Sequence, residues 1–170
     1  MNKLANYIDT LNEKVGKSIA WAVLATTLIT FLVVVLRKGF SWGSIAMQES
    51  ALYFHALLFM VGAAYTLKHN GHVKVDIFYQ NFSAKGRAWV NLLGTASLLL
   101  PFSLFILWIS ADYVLVSWQQ LEGSRETGGL PLVFILKSFI PLMAILLVLQ
   151  AIATMLRALS TLNNNNQESA

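Results

Sequence analysis

Four long apolar blocks, separated by short charged stretches, set the pattern of this chain. The block "SIAWAVLATTLITFLVVVL" (18–36) carries no charge and is bracketed by Lys17 and Arg37. As a helix it would rise roughly 28 Å, close to the bilayer's hydrocarbon thickness of about 30 Å. The block "SALYFHALLFMVGAAYTL" (50–67) follows Glu49 and stops at Lys68. A third, "AWVNLLGTASLLLPFSLFILWISA" (88–111), extends as helix through "DYVLVSW" to residue 118. The fourth, "LPLVFILKSFIPLMAILLVLQAIATML" (130–156), holds Lys137 about two turns in. Pro131 suits a first helical turn, whereas Pro101 and Pro141 lie inside spans and predict kinks. The first block exceeds the roughly 7–15-residue core of a secretory signal, so it is expected to stay as an anchor rather than be cleaved near "SIAM".

The flanking pattern is amphipathic. In "NKLANYIDTLNEKVGKS", Leu4, Tyr7, Ile8, Leu11 and Val15 recur at helical spacing, with Asn6, Asp9, Asn12, Glu13 and Lys14 on the other arc. This predicts an interfacial helix over 1–17. A second apolar surface is Val75, Ile77, Phe78 and Phe82, and Ser83 is placed to cap the third span. The tail "LNNNNQESA" is polar and of low complexity, so 157–170 is expected to be disordered. The fold predicted is an all-α integral membrane protein of four transmembrane helices, residues 18–156, plus that N-terminal helix.

Charge orients it. With four spans, Lys3, Lys14, Lys17, Lys68, Lys74, Lys85, Arg87 and Arg157 share one side, and Arg37, Lys38 and Arg125 the other, with Lys137 near that boundary. The positive-inside bias then puts both termini in the cytoplasm. Hydrophobic residues make up 56% of the 170 and charged ones only 12%, and a net charge of +4 is what membrane flanks supply, so no nucleic-acid partner is expected. Without cysteine, disulfides and thiolate metal sites are excluded.

Several polar residues could carry chemistry. Glu49, His55, Asp112 and Lys137 lie at or within spans, where charge is costly. A lone lysine with two boundary acids does not make a relay, and Lys137 is expected to snorkel outward or to pair with Glu49 or Asp112. His55 is expected at a helix contact, since the other histidines, His69 and His72, sit in the inner loop. His69, His72 and Asp76 have metal-ligand spacing but lack a fourth ligand and are ringed by cations. A headgroup-level turn, with Gly71 supplying positive φ, is the preferred reading. The outer stretch "SWQQLEGSRETGGLP" (117–131) mixes charge with a Gly128–Gly129 pair and reads as a docking surface or a solvated loop. No nucleophile–base pair, phosphate cradle or catalytic carboxylate pair is evident, so no cofactor, metal or catalytic residue is expected. Small and polar residues (Gly62, Ala63, Ala64, Asn91, Gly94, Thr95, Ser97) favour close helix packing. A membrane-anchor subunit of a respiratory oxidoreductase, carrying haem or quinone near His55, is the competing class.

"GAAYTLKHNGHVKVDIFYQNFSAKGRAWVNLLG" (62–94), "QES" (48–50) and "EGSRETGGLPLVFILKSFIPLMAILLVLQAIATMLR" (122–157) resemble the small membrane subunit of tripartite ATP-independent periplasmic (TRAP) transporters. The resemblance implies a non-enzymatic scaffold. Its partners would be a large multi-span membrane subunit that moves sodium and an organic acid by an elevator motion, a periplasmic substrate-binding protein, and membrane lipids. On that footing Arg37, Lys38, Glu122, Arg125 and Glu126 are candidates for docking the binding protein. Glu49, His55, Gly71, His72, Asp76, Asp112, Lys137 and Pro141 are candidates for structural or assembly roles.

Overall fold

A computed structural model describes residues 2–71 and 82–167, and every regular element among them is helical. Four segments are long and apolar enough to cross a membrane: Lys3–Gly39, Ile45–Lys68, Ala84–Gln119 and Val133–Asn163. The first combines α1 (Asn2–Ile19) and α2 (Trp21–Gly39), and the charges of Glu13, Lys14 and Lys17 leave α2 as its spanning part. The second is α3 (Ile45–Val61) and α4 (Ala63–Lys68), interrupted at Gly62. Ser44 starts α3, its hydroxyl accepting the Met47 N–H, so the small residues of "SIAM" mark a helix start.

The third segment is α5 (Ala84–Gly94) and α6 (Leu100–Gln119), joined through a π-helical turn over Thr95–Leu99. Ser83 caps α5 as its position predicted, accepting from Gly86 N–H. The π turn sits just before Pro101. Proline cannot donate to the preceding turn, and the ladder shifts there to a five-residue bond from Leu100 N–H to the Thr95 carbonyl. The last helix, α7 (Val133–Gln167), begins two residues after Pro131, which therefore precedes the helix rather than occupying its first turn. It runs past Pro141 and stays helical as far as Gln167, over residues expected to be disordered. Ala158 and Leu162 are buried against Ala88 and Leu92 of α5, and that apolar contact holds the tail helical beyond residue 156.

α7 is the axis of the bundle. Its alanines at 144, 151 and 153 are fully buried, letting neighbouring backbones approach closely. Val61 and Ala64 pack on Leu146 and Leu147, while Ala5 and Ile8 pack on Ala153. On α6, Ser103, Ser110 and Ser117 recur every seven residues as a buried stripe. The Ser103 hydroxyl donates to the Leu99 carbonyl at the end of the π turn, which meets its hydrogen-bonding need inside the bundle. Of the small residues singled out for packing, Ala64 and Thr95 are buried, whereas Ser97 is exposed. α2 packs on α3 and turns Trp21, Leu24, Leu28 and Phe31 outward, as lipid contact or a partner helix would require.

These contacts put α1, Lys68, Arg87 and Arg157 at one end of the bundle. Arg37, Lys38, Glu49, Glu122 and Lys137 lie at the other.

Candidate functional site: a polar seam at each end of the bundle

α1 carries three faces. Leu4, Tyr7 and Leu11 point outward, and Asn6, Thr10, Lys14 and Lys17 form an exposed polar arc. Between them, Ala5, Ile8, Asp9, Asn12 and Gly16 face the bundle and are buried. Asp9 and Asn12, assigned by periodicity to the outward polar arc, therefore point inward. The cause is a set of partners on α7. Asn12 donates to Gln150 Oε1 at 2.7 Å, Gln150 Nε2 donates to Asp9 at 3.0 Å, and Arg157 closes an ion pair with Asp9. Gln150 and Asn12 are each only 1% exposed, so the hydrogen bonds among Asp9, Asn12 and Gln150 are desolvated, while the Arg157 guanidinium stays half-exposed.

The seam continues onto α4. Lys68 donates to the Glu13 carboxylate at 2.6 Å and to the Asp9 carbonyl at 3.1 Å, and Lys17 reaches Glu13 at 3.0 Å. His69 lies 3.2 Å from the same carboxylate and stacks obliquely on Tyr65, with 4.2 Å between ring centroids. Tyr65 in turn lies against Gly16, where a Cβ would meet the ring at 2.2 Å; glycine is required by that approach. One sequence signal pointed this way. Gln150 is an amide within an otherwise apolar run, and Arg157 lies seven residues on, along the same helix face.

At the opposite end two carboxylates shape the connection between α6 and α7. Glu49 of α3 accepts from the Ser124 hydroxyl and from Leu130 N–H, the latter at 2.6 Å. The Gly128–Gly129 pair now has its reason. Gly128 has φ +81, and a Cβ on Gly129 would collide with Ser124 and come within 2.9 Å of the Glu49 carboxylate. Glu122 is the second anchor, accepting from Ser117 Oγ at 2.7 Å and pairing with Lys137. Lys137 thus pairs with neither Glu49 nor Asp112. Glu49 is occupied by the loop, and Asp112 is exposed on α6. The ammonium also sits 4.0 Å over the Tyr113 ring, and Trp118 donates to Ser138 at 2.8 Å beside Phe134. The hydrogen bond from Lys137, then that from Ser117, holds the Glu122 carboxyl below its ordinary 4.5.

The other candidates fall as follows. Arg37, Lys38, Arg125 and Glu126 are exposed, so four of the five proposed docking residues are presented outward while Glu122 is committed to Lys137. His55 is exposed on α3 with Phe59 stacked 6.5 Å away, on the helix surface rather than at an internal helix contact. At the end of α4 the left-handed residue is Asn70, φ 54, and Gly71 follows it without positive φ; the asparagine side chain tolerates that conformation. His72 and Asp76 lie outside the described residues, as does most of the second amphipathic segment. Among the described residues no group of three or more metal-ligating side chains occurs.

Comparison with known proteins bears on what these seams serve. Residues 26–161 match the family model described as tripartite ATP-independent periplasmic transporters, DctQ component. The chain is similar to the C4-dicarboxylate TRAP transporter small permease protein DctQ of Vibrio cholerae, at 27% identity over 134 residues. The aligned part covers 77% of this chain and 54% of that protein, so the chain spans about half the length of this curated relative. No solved structure matches.

Proposed function

This chain belongs to the DctQ-component family of tripartite ATP-independent periplasmic transporters, as a multi-pass membrane protein and not an enzyme, and we propose that it is the fixed brace of such a transporter. In this role it packs against the large membrane subunit and holds it steady while substrate and sodium are carried elsewhere in the complex. It lies in the inner membrane with both termini cytoplasmic, in keeping with the excess of Lys and Arg at the α1 end. The cargo is an organic acid, a C4-dicarboxylate, sialic acid or a related carboxylate; the similarity to the C4-dicarboxylate transporter small permease of Vibrio cholerae supports the first of these.

One observation carries this reading. The polar side chains that a carrier would need for binding are spent on bracing: Asp9, Asn12 and Gln150 on one another, and Glu49, Glu122 and Lys137 on the outer loop. A moving part would need such contacts to break. The exposed Arg37, Lys38, Arg125 and Glu126 then form the periplasmic face that meets the binding protein, with Glu122 fixing the loop's shape beneath them.

Purification in mild detergent through a tag on this chain, followed by reconstitution, tests the proposal. A larger multi-span protein should co-elute, and uptake should require that partner and a binding protein. Organic-acid uptake by vesicles holding this chain alone would refute it. Charge reversal at Arg37, Lys38, Arg125 and Glu126 should raise the binding-protein concentration needed for half-maximal uptake, and unchanged uptake in all four would remove them from the docking face.

A further inference from the structure

At the α1 end, a cavity of about 490 Å³ lies between α4, α5 and α7. Each helix contributes one cation to its wall, Lys68, Arg87 and Arg157, and among the described residues no carboxylate lines it. Glu13 answers Lys68 and Asp9 answers Arg157. Arg87 differs. Among the described residues it has no carboxylate partner and donates its Nε to the Phe82 carbonyl at 3.0 Å. The lining continues along α5 and the π turn from Arg87 to Leu99, a depth of roughly 18 Å at the helical rise per residue; Leu67, Ala88, Val90 and Leu99 supply its apolar wall, interleaved with Asn91, Thr95 and Thr154.

From this geometry we infer that the cavity holds the phosphate of an anionic phospholipid, with an acyl chain laid along the apolar wall. The mouth is cationic and its position is at headgroup level, because Lys68 ends one span and Arg87 begins the next. Guanidinium groups grip phosphate oxygens in a paired geometry, and basic pockets between helices on the cytoplasmic side suit anionic headgroups. A free anion would satisfy the same cations but leave the apolar part of the deeper wall, Val90 and Leu99, in water. The lipid is therefore the source the shape favours. A lipid held there would fill the space between α5 and α7 and stiffen the same end that the Asp9 seam closes.

The test uses the purified full chain in mild detergent and does not depend on its place in a transporter. Phosphatidylglycerol should be retained through purification and raise the thermal midpoint, whereas phosphatidylcholine should do so weakly. Arg87→Gln should lower phosphatidylglycerol occupancy about tenfold, the scale of one charge-assisted contact, with Arg87→Lys in between. Thr95→Leu, which intrudes on the cavity's depth without removing a cation, should release the lipid as well. Equal retention by wild type and both Arg87→Gln and Thr95→Leu would overturn the site. Millimolar inorganic phosphate reproducing the whole midpoint shift would overturn the lipid assignment in favour of a soluble anion.

Discussion

The two ends of the bundle use the same residue chemistry for different ends. At the inner seam, side chains bond to side chains across helices far apart in sequence: Asp9 and Asn12 of α1 meet Gln150 of α7. At the outer end, carboxylates gather hydroxyls, an ammonium and a backbone amide to set one loop, as Glu49 does with Ser124 and Leu130. The inner arrangement fixes how helices stand against each other. The outer one fixes the shape of a surface. Damage at the inner seam should therefore spread through the bundle, whereas damage at the outer end should stay local.

The largest effect is expected from Asp9→Leu. It strands Arg157 and Gln150, and removing one member of a buried charged network costs about 2–3 kcal/mol after discounting for the half-exposed guanidinium. Thermal unfolding in detergent should show it as a global loss of stability. The double variant Asn12→Leu/Gln150→Leu should cost less than the two single changes added together, because no orphan is left between them. Gly16→Val comes next, at about 1–3 kcal/mol, since its side chain must displace the Tyr65 ring. A cost near zero would mean α1 can move off α4.

Smaller and confined effects are expected outside. Glu49→Gln should speed hydrogen exchange at the loop amides, Leu130 above all, while the thermal midpoint barely moves. Acidification sharpens the contrast. Because the Glu122 carboxyl is held below its ordinary 4.5, its pairing with Lys137 stabilises the fold at pH values above that figure. The contribution is lost as pH falls through the lowered folded value. Protection of the loop amides, taken relative to the intrinsic exchange rate at each pH, should fall in that acidic window and stay level between pH 5 and 8, and a loss of protection near neutrality would contradict the assignment.

Much of this architecture was legible beforehand. Apolar blocks of bilayer length are hard to mistake, and Ser83 announced its cap by position. What escaped was long-range pairing. A polar arc on an amphipathic helix is ordinarily assigned to water, which places Asp9 and Asn12 outward, yet Gln150 and Arg157 draw them in. Asparagines and glutamine in the tail read as coil by composition, but Ala158 and Leu162 find α5 and the helix continues. Lys137 is expected to snorkel or to pair with a boundary acid, and its partner sits in the loop, fifteen residues earlier in sequence. The Gly128–Gly129 pair marked a turn without revealing that Glu49 fills it.

Whether the α1 end is a fixed brace can be read from a single cross-link. The chain has no cysteine, so Ala5→Cys and Ala153→Cys, two positions packed in one buried cluster, can be introduced alone. Uptake by the reconstituted complex would then be compared before and after oxidation. A static brace predicts the same rate with α1 locked to α7. Arrest on oxidation, reversed by a reductant, would show that this end moves during transport and would contradict the proposed role.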